Sequence, residues 1–116
     1  GIRDYIHVWD LARAHVRAVE EFDAVLSKVD GTYTYINLGG GDGVTVRELL
    51  AAVERVVGKP VPVTEAPPRP GDAPGAFANA DKARELLGWR TELSLDEAIA
   101  SALAWGEKRQ EILGYA

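Results

Sequence analysis

The chain has 116 residues, of which 47% are apolar and 27% charged, so it is long enough to form one globular domain with a hydrophobic core. Its 13 Lys and Arg stand against 18 Asp and Glu, and the net charge of −5 at pH 7 argues against nucleic acid as a partner. The sequence contains no Cys, which excludes disulfides, thiolate nucleophiles and cysteine-based metal sites.

The first third of the sequence predicts a strand, a helix and a second strand. Residues 2 to 9 alternate between two faces, which is the period of a strand. Asp10 can cap a following helix, and an apolar line at helical spacing predicts that helix from residue 11 to about 27. Residues 32 to 38 are rich in aromatic and β-branched side chains, so we predict a second strand there.

The middle of the sequence predicts a well-capped helix followed by an irregular connector. Thr45 and Glu48 have the spacing of a capping box, and the apolar stripe that follows ends at Gly58. All six prolines lie between residues 60 and 74, which excludes a helix and permits at most a short edge strand around residues 61 to 64.

The last third predicts two helices. Asn79 or Asp81 can cap a short helix that Gly88 ends. Ser94 and Glu97 form a second capping box, which opens a longer apolar helix. The predicted fold is therefore α/β, in the order β-α-β-α, a proline-rich segment, and α-α.

Two features of the sequence bear on the location of the protein and on whether it is part of a longer chain. No apolar run is long enough to span a membrane and no signal segment is present, so we expect no membrane partner and a cytoplasmic location. The sequence contains no Met and opens directly on a strand pattern. We therefore expect residues 1 to 116 to be one part of a longer protein.

The glycine-rich segment at residues 39 to 43 has two possible explanations. Between a strand and a helix it can bind phosphate, because a helix N-terminus offers unpaired N–H groups. The dinucleotide fingerprint G-x-G-x-x-G fails, however, since Val44 stands where its last glycine is required. The alternative is a tight turn whose glycines permit positive φ.

The sequence R-P-G-D at residues 69 to 72 is a stronger candidate for a ligand site. A guanidinium on a proline-stiffened loop is held in place before it meets an oxyanion, and Asp72 can accept from a hydroxyl. Arg3 is a second cation, on the polar face of the first strand. Two such arginines in an acidic chain indicate a focused anionic ligand such as a diphosphate. The alternative is an exposed turn in which Arg69 and Asp72 form an ion pair.

The remaining candidate residues indicate packing and no catalysis. His7 and His15 have no carboxylate at a metal or triad spacing, so we interpret both as core or packing residues. Trp89 and Trp105 lie on apolar stripes and are predicted to be core. No Tyr is followed by Lys four positions later. From its residues alone, the chain is an α/β ligand-binding unit without catalytic machinery.

Several motifs in order along the chain carry a family resemblance. The motifs are R-D-Y-I-H-V-W-D-L-A at residues 3 to 12, N-L-G at 37 to 39 with Gly43, R-P-G-D at 69 to 72, and L-L-G-W at 86 to 89. With these motifs the sequence resembles the C-terminal part of UDP-glucose 4-epimerases, which are extended short-chain dehydrogenases/reductases. The first motif is specific within that superfamily, and the last two are shared with sugar-nucleotide dehydratases and decarboxylases.

The resemblance implies a fold and an activity. The fold implied is the substrate-binding part of an extended, Rossmann-type dehydrogenase/reductase, without the N-terminal part that binds NAD and carries the catalytic residues. The intact isomerase would interconvert UDP-glucose and UDP-galactose through a 4-keto intermediate with bound NAD. The resemblance also implies a homodimeric parent, and we expect the fragment alone to be inactive and to self-associate.

The resemblance also assigns roles to four residues. Arg3 and Arg69 match arginines that hold the UDP diphosphate, and Asp72 matches an aspartate that binds the ribose. Ala76 matches a sugar-pocket position whose bulk is associated with exclusion of N-acetylated sugars, so its small side chain predicts that UDP-GlcNAc and UDP-GalNAc also fit. The alternatives are another NAD-dependent sugar-nucleotide dehydratase or decarboxylase, or a non-catalytic binding module.

Overall fold

Two short strands and five helices form the fold in the computed structural model, which describes residues 1 to 114. The architecture is α/β, with helices on a very small sheet. None of the helices within the described residues is long and apolar enough to cross a membrane. The elements are β1 Ile2–Arg3, α1 Val8–Glu20, α2 Phe22–Leu26, β2 Val44–Thr45, α3 Val46–Val57, α4 Asp81–Leu87 and α5 Leu95–Leu113.

The first strand is much shorter than predicted. β1 covers only Ile2–Arg3 and pairs antiparallel with β2, with Ile2 opposite Thr45. The strand predicted over residues 2 to 9 is therefore wrong beyond Arg3. The reason is local, since the ring nitrogen Nδ1 of His7 accepts a hydrogen bond from the amide of Trp9 at 2.9 Å and begins α1.

The first helix also differs from the prediction. Asp10 does not cap it but lies in its first turn, completely buried. Its carboxylate accepts hydrogen bonds from Arg13 and, at 3.1 Å each, from the amides of Glu92 and Leu93. The helix predicted as continuous to residue 27 breaks at Glu21 into α1 and α2. Asp10 therefore joins α1 to the loop that precedes α5.

Residues 32 to 38 do not form the predicted strand. No backbone ladder joins them to another part of the described chain, and Tyr33 and Tyr35 are 80% and 74% exposed. Ile36 and Leu38 of this segment are partly buried against the hydrophobic core, and the Lys82 ammonium of α4 lies 2.6 Å from the hydroxyl of Thr34 and 4.4 Å from the centre of the Tyr35 ring. A strand exists only with a neighbour, and these residues have none here.

The capping box of α3 is confirmed. The amide of Glu48 donates to the Thr45 hydroxyl at 3.2 Å, and the amide of Thr45 donates to the Glu48 carboxylate at 2.7 Å. Gly58 ends the helix with a φ of 75°. Residues 60 to 74 contain no helix, as predicted, and the edge strand considered for residues 61 to 64 is absent.

The two C-terminal helices begin close to the predicted positions, but α5 is longer than predicted, because the apolar pattern extends only from residue 95 to 105 and the helix continues to Leu113. The Asn79 side chain accepts from the amide of Asp81 at 2.8 Å, and Gly88 ends α4 in the left-handed conformation. At α5 the amide of Glu97 donates to the Ser94 hydroxyl at 3.2 Å, while the amide of Ser94 donates to the Glu97 carboxylate at 2.7 Å. The second capping box is therefore confirmed.

The hydrophobic core is small and lies where α1, α2 and α4 meet. Trp89 is a core residue as predicted, 4% exposed, and its indole N–H donates to the carbonyl of Asp10 at 2.8 Å. Trp105 is 47% exposed, so its prediction as a core residue is wrong. His15 is exposed and does not belong to the core, and its Nδ1 lies 2.8 Å from the carbonyl oxygen of Leu11. Residues 101 to 113 of α5 are all exposed, although the Ser101 hydroxyl lies 2.9 Å from Nε2 of His7. The buried core comprises Ala14, Val25, Ala83, Leu87 and Trp89.

Candidate functional site

The segment that follows the R-P-G-D loop lies along β1. The amide of Ile2 donates to the carbonyl of Pro74 at 3.2 Å, and the amide of Ala76 donates to the carbonyl of Ile2 at 3.1 Å. Gly75 forms a parallel bridge with Ile2 between these two hydrogen bonds. The structure therefore brings Ala76 next to the strand that carries Arg3.

The Arg3 side chain folds back over the start of the chain. Its Nη1 donates to the carbonyl of Ile2 at 2.8 Å. A Cβ added to Gly1 would lie 3.1 Å from Arg3 Nη1 and 3.3 Å from the carbonyl oxygen of Pro74. The guanidinium therefore lies where β1 and the segment at residues 74 to 76 meet.

The R-P-G-D loop forms a turn closed by its own charges. The amide of Asp72 donates to the carbonyl of Arg69 at 3.2 Å, and Gly71 between them has a φ of +84°. Nε and Nη2 of Arg69 lie 3.2 and 3.5 Å from the two carboxylate oxygens of Asp72. This is the exposed ion pair considered from the sequence. The Arg69 side chain is 84% exposed, so its charge is open to solvent.

An open cleft lies beside Ala76. It has a volume of about 420 Å³ and is lined by Ile2 and by residues 74 to 77. The methyl group of Ala76 leaves this space unfilled. The structure thus places Ala76 in a cleft beside β1, and the chain reaches Asp72 and Arg69 only a few residues earlier.

Asp4 is a residue of this region that the sequence argument missed. Its Oδ1 accepts from the amide of Gly40 and its Oδ2 from the amide of Ala78, both at 2.9 Å. It therefore ties the end of β1 to the glycine-rich segment and to the segment that contains Ala76. The available signal was a carboxylate on the apolar face of an alternating strand pattern.

The glycine-rich segment is packed against β1. A Cβ on Gly39 would lie 2.2 Å from Asp4 Oδ2, and one on Gly43 would lie 2.2 Å from Cγ2 of Ile2. Gly41 alone in this segment has a positive φ, +86°, as the turn alternative predicts. The amide of Gly40 already donates to Asp4, so the geometry favours close packing and a turn over a phosphate site.

A larger cleft borders the same segment on its other side. It has a volume of about 510 Å³ and is lined by residues 39 to 42, 77 to 81 and 89 to 91, together with Arg84. The guanidinium of Arg84 is paired with Asp81 at 2.5 Å. The glycine-rich segment therefore has solvent on one side and β1 on the other.

Curated relatives match nearly the whole chain, although no protein-family model does. The chain is 44% identical over 108 residues to UDP-glucose 4-epimerase of Bifidobacterium longum subsp. longum, aligning 93% of this chain with 30% of that protein. It is 49% identical over 110 residues to UDP-glucose 4-epimerase of Rhizobium leguminosarum bv. trifolii, aligning 95% of this chain with 32% of that protein. The chain thus spans about 30% of the length of these relatives.

Solved structures of similar proteins carry the same name. The crystal structure of UDP-glucose 4-epimerase from Bifidobacterium longum in complex with NAD+ and UDP superposes with a TM-score of 0.79 at 41% identity, covering 93% of this chain and 30% of that one. The enzyme from Stenotrophomonas maltophila, with bound NAD and formylated UDP-arabinopyranose, gives a TM-score of 0.82 at 37% identity, covering 97% and 32%. The resemblance to UDP-glucose 4-epimerases is therefore confirmed in sequence and in fold.

Proposed function

We propose that this chain is the UDP-sugar-binding region of a UDP-glucose 4-epimerase, which interconverts UDP-glucose and UDP-galactose. The observation that carries the proposal is the pairing of β1 with residues 74 to 76, which draws Arg3 and Ala76 together. The other two residues assigned by resemblance, Arg69 and Asp72, lie in the adjoining loop. We propose that all four residues belong to one surface. The identity of the epimerase relatives supports a nucleotide sugar as its ligand.

The arginines of this surface suit a diphosphate. A guanidinium presents a planar fork of N–H donors that matches phosphate oxygens, and each charge-assisted contact contributes about 1.5 to 3 kcal/mol. Arg69 is paired with Asp72 in the structure, but an exposed pair of this kind contributes little and is easily opened. We propose that ligand binding replaces this pair, with Arg69 turning to a phosphate and Asp72 to a ribose hydroxyl.

The residues of this chain do not fit NAD. The dinucleotide fingerprint is absent, β1 fills one side of the glycine-rich segment, and the Gly40 amide is already bonded to Asp4. Similar epimerases were crystallised with NAD, and they are about three times longer than this chain. We propose that NAD and the catalytic residues belong to the remainder of the enzyme, so that this chain alone binds substrate without turning it over.

The proposal is tested in the intact enzyme with Arg69→Ala. Loss of the guanidinium removes a diphosphate contact, so the Kd for UDP should rise about tenfold or more while the NAD content stays unchanged. Calorimetric titration with UDP and the absorbance of bound NAD measure the two effects. Arg84→Ala is the matched control, because Arg84 also forms an exposed ion pair with a residue three positions away.

Three outcomes would contradict parts of the proposal. Unchanged UDP affinity in Arg69→Ala would remove Arg69 from the site, and loss of NAD would place it near the cofactor. UDP binding with no interconversion of UDP-glucose and UDP-galactose would favour another sugar-nucleotide dehydratase or decarboxylase. The homodimeric state and the cytoplasmic location of the parent stay predictions.

A further inference from the structure

Asp4 is a charged side chain whose two oxygens are both used by the backbone. One accepts from the Gly40 amide and the other from the Ala78 amide, at 2.9 Å each. Hydrogen bonds to an ionised acceptor are roughly twice as strong as those between neutral groups. A carboxylate bonded in this way on both oxygens joins three parts of its own chain.

The two anchors of the segment around Ala76 both lie on β1 or directly after it. The amide of Ala76 donates to the carbonyl of Ile2 at 3.1 Å, and two residues later the amide of Ala78 donates to Asp4. Arg3 stands between Ile2 and Asp4 in the chain. The separation between Arg3 and Ala76 is therefore set by hydrogen bonds on either side of each residue.

We infer that Asp4 is a positioning residue for nucleotide-sugar binding, acting by fixing the segment that carries Asp72 and Ala76 against the strand that carries Arg3. This inference rests on the proposed function. A diphosphate and a sugar must contact both parts at once, so a change in their separation weakens every contact that spans them. Asp4 acts through these neighbours and does not touch the ligand.

The neighbouring glycines provide an independent means of moving the Asp4 carboxylate. A Cβ at position 39 would lie 2.2 Å from Asp4 Oδ2 and 2.8 Å from the Cβ of Ala78, so a methyl group there must displace both. A Cβ at position 40 would lie 3.5 Å from Asp4 Oδ1, which is ordinary contact. Neither glycine has a positive φ. Gly39→Ala and Gly40→Ala therefore form a matched pair.

The experiment compares Asp4→Asn, Gly39→Ala and Gly40→Ala in the intact enzyme. Asn keeps an acceptor for Gly40 but turns an amide donor toward the Ala78 N–H, which breaks one anchor. We expect the KM for UDP-galactose and the Kd for UDP to rise about tenfold in Asp4→Asn and Gly39→Ala. We expect kcat to change by less than about threefold and Gly40→Ala to match the wild type, since the chemistry lies elsewhere.

A purely structural role would give a different pattern. If Asp4→Asn and Gly39→Ala lower Tm while KM and the Kd for UDP stay at wild-type values, the inference is overturned. It is also overturned if Gly40→Ala raises KM as much as Gly39→Ala. If the wild-type enzyme neither binds UDP nor interconverts UDP-sugars, the proposed function fails and this inference fails with it. An active wild type with an unaffected Asp4→Asn variant rejects the inference alone.

Discussion

At the scale of single residues, small side chains decide which parts of the chain can approach one another. Ala76 presents only a methyl group to the cleft of about 420 Å³ that it lines with Ile2 and its neighbours. Gly75, just before it, allows Ile2 to come so near that an added Cβ would lie 2.7 Å from the Ile2 Cβ. The close approach of the backbone and the open space beside it thus arise from adjacent residues.

Enlarging Ala76 should narrow the range of substrates. In the intact enzyme, Ala76→Tyr fills the cleft, so we expect epimerisation of UDP-GlcNAc to be lost while UDP-galactose is still converted. Rates with both substrates, measured by chromatography of the products, check this. Ala73→Tyr is the control, because residue 73 does not line the cleft. A wild-type enzyme that never converts UDP-GlcNAc would contradict the role given to Ala76.

Removing the buried carboxylate of Asp10 should destabilise the chain. Asp10→Ala leaves the amides of Glu92 and Leu93 without their acceptor and removes one of the two carboxylates that pair with Arg13. Loss of one member of a buried charged network costs about 3 kcal/mol, so the free energy of unfolding in urea should fall by that order. Asp30→Ala, at an exposed position, should leave it nearly unchanged. Equal effects of the two substitutions would reject the stabilising role given to Asp10.

The charged residues of the sequence indicated two members of the candidate site, whereas Asp4 could be found only from the fold. Arg3 and Arg69 could be selected from the sequence because cations are informative in an acidic chain. Asp4 could not, since its partners Gly40 and Ala78 lie 36 and 74 residues further along the chain. No local pattern specifies bonds over such distances.

At the scale of elements, helix starts marked by a capping box were predictable, whereas the strands and the bounds of the first helix were not. A capping box uses two residues three positions apart, so the starts of α3 and α5 could be predicted from the sequence. Residues 32 to 38 have strand composition, but a strand also needs a partner, and the described chain supplies none. β1 stops at Arg3 because His7 caps a helix soon afterwards.

The capping box of α5 should contribute to the acid sensitivity of the fold. The backbone hydrogen bond from Ser94, and then its hydroxyl, hold the pKa of Glu97 below its ordinary value. A carboxyl whose pKa is lower in the folded state stabilises the fold above its unfolded pKa, and this contribution is lost as the pH falls through the folded value.

Glu97→Gln should therefore reduce the amount by which the free energy of unfolding falls at acid pH. Gln retains the capping box without a titrating group, so the loss of stability below about pH 4.5 should be smaller than in the wild type. Urea unfolding at a series of pH values between neutral and acid measures how steeply the free energy of unfolding changes with pH. Glu107→Gln, on the exposed half of α5, is the control. An unchanged slope in Glu97→Gln would show that this carboxyl does not contribute.

At the scale of the whole molecule, apolar surface is left uncovered. The core comprises five buried residues, while many larger side chains are exposed on α5 and along residues 32 to 38. Several of these exposed side chains lie on the same helix, α5, and grouped apolar side chains at a surface are typical of an interface. The relatives are about three times longer than this chain. We propose that in the intact enzyme the residues outside this chain cover these side chains. The exposed residues include Tyr33, Tyr35, Leu103, Trp105, Ile112 and Leu113.

The isolated chain should consequently self-associate. In sedimentation velocity runs over a wide concentration range, we expect the average sedimentation coefficient to rise with concentration. Trp105→Lys places a charge on the exposed apolar surface of α5 and should reduce this rise. Gln110→Lys makes the same change in charge at a polar position of the same helix and should have less effect. A clean monomer at all concentrations would contradict the prediction.

The pairing of β1 also has a consequence for the order of folding. Ile2 pairs with Thr45 on one side and bridges to Gly75 on the other, so its contacts join parts of the chain that are far apart in sequence. The helices, in contrast, are built from local hydrogen bonds. Because the entropy of closing long loops opposes distant contacts until the intervening segments are ordered, we expect β1 to dock after the helices have formed. The surface that brings Arg3 to Ala76 would then be completed late in folding.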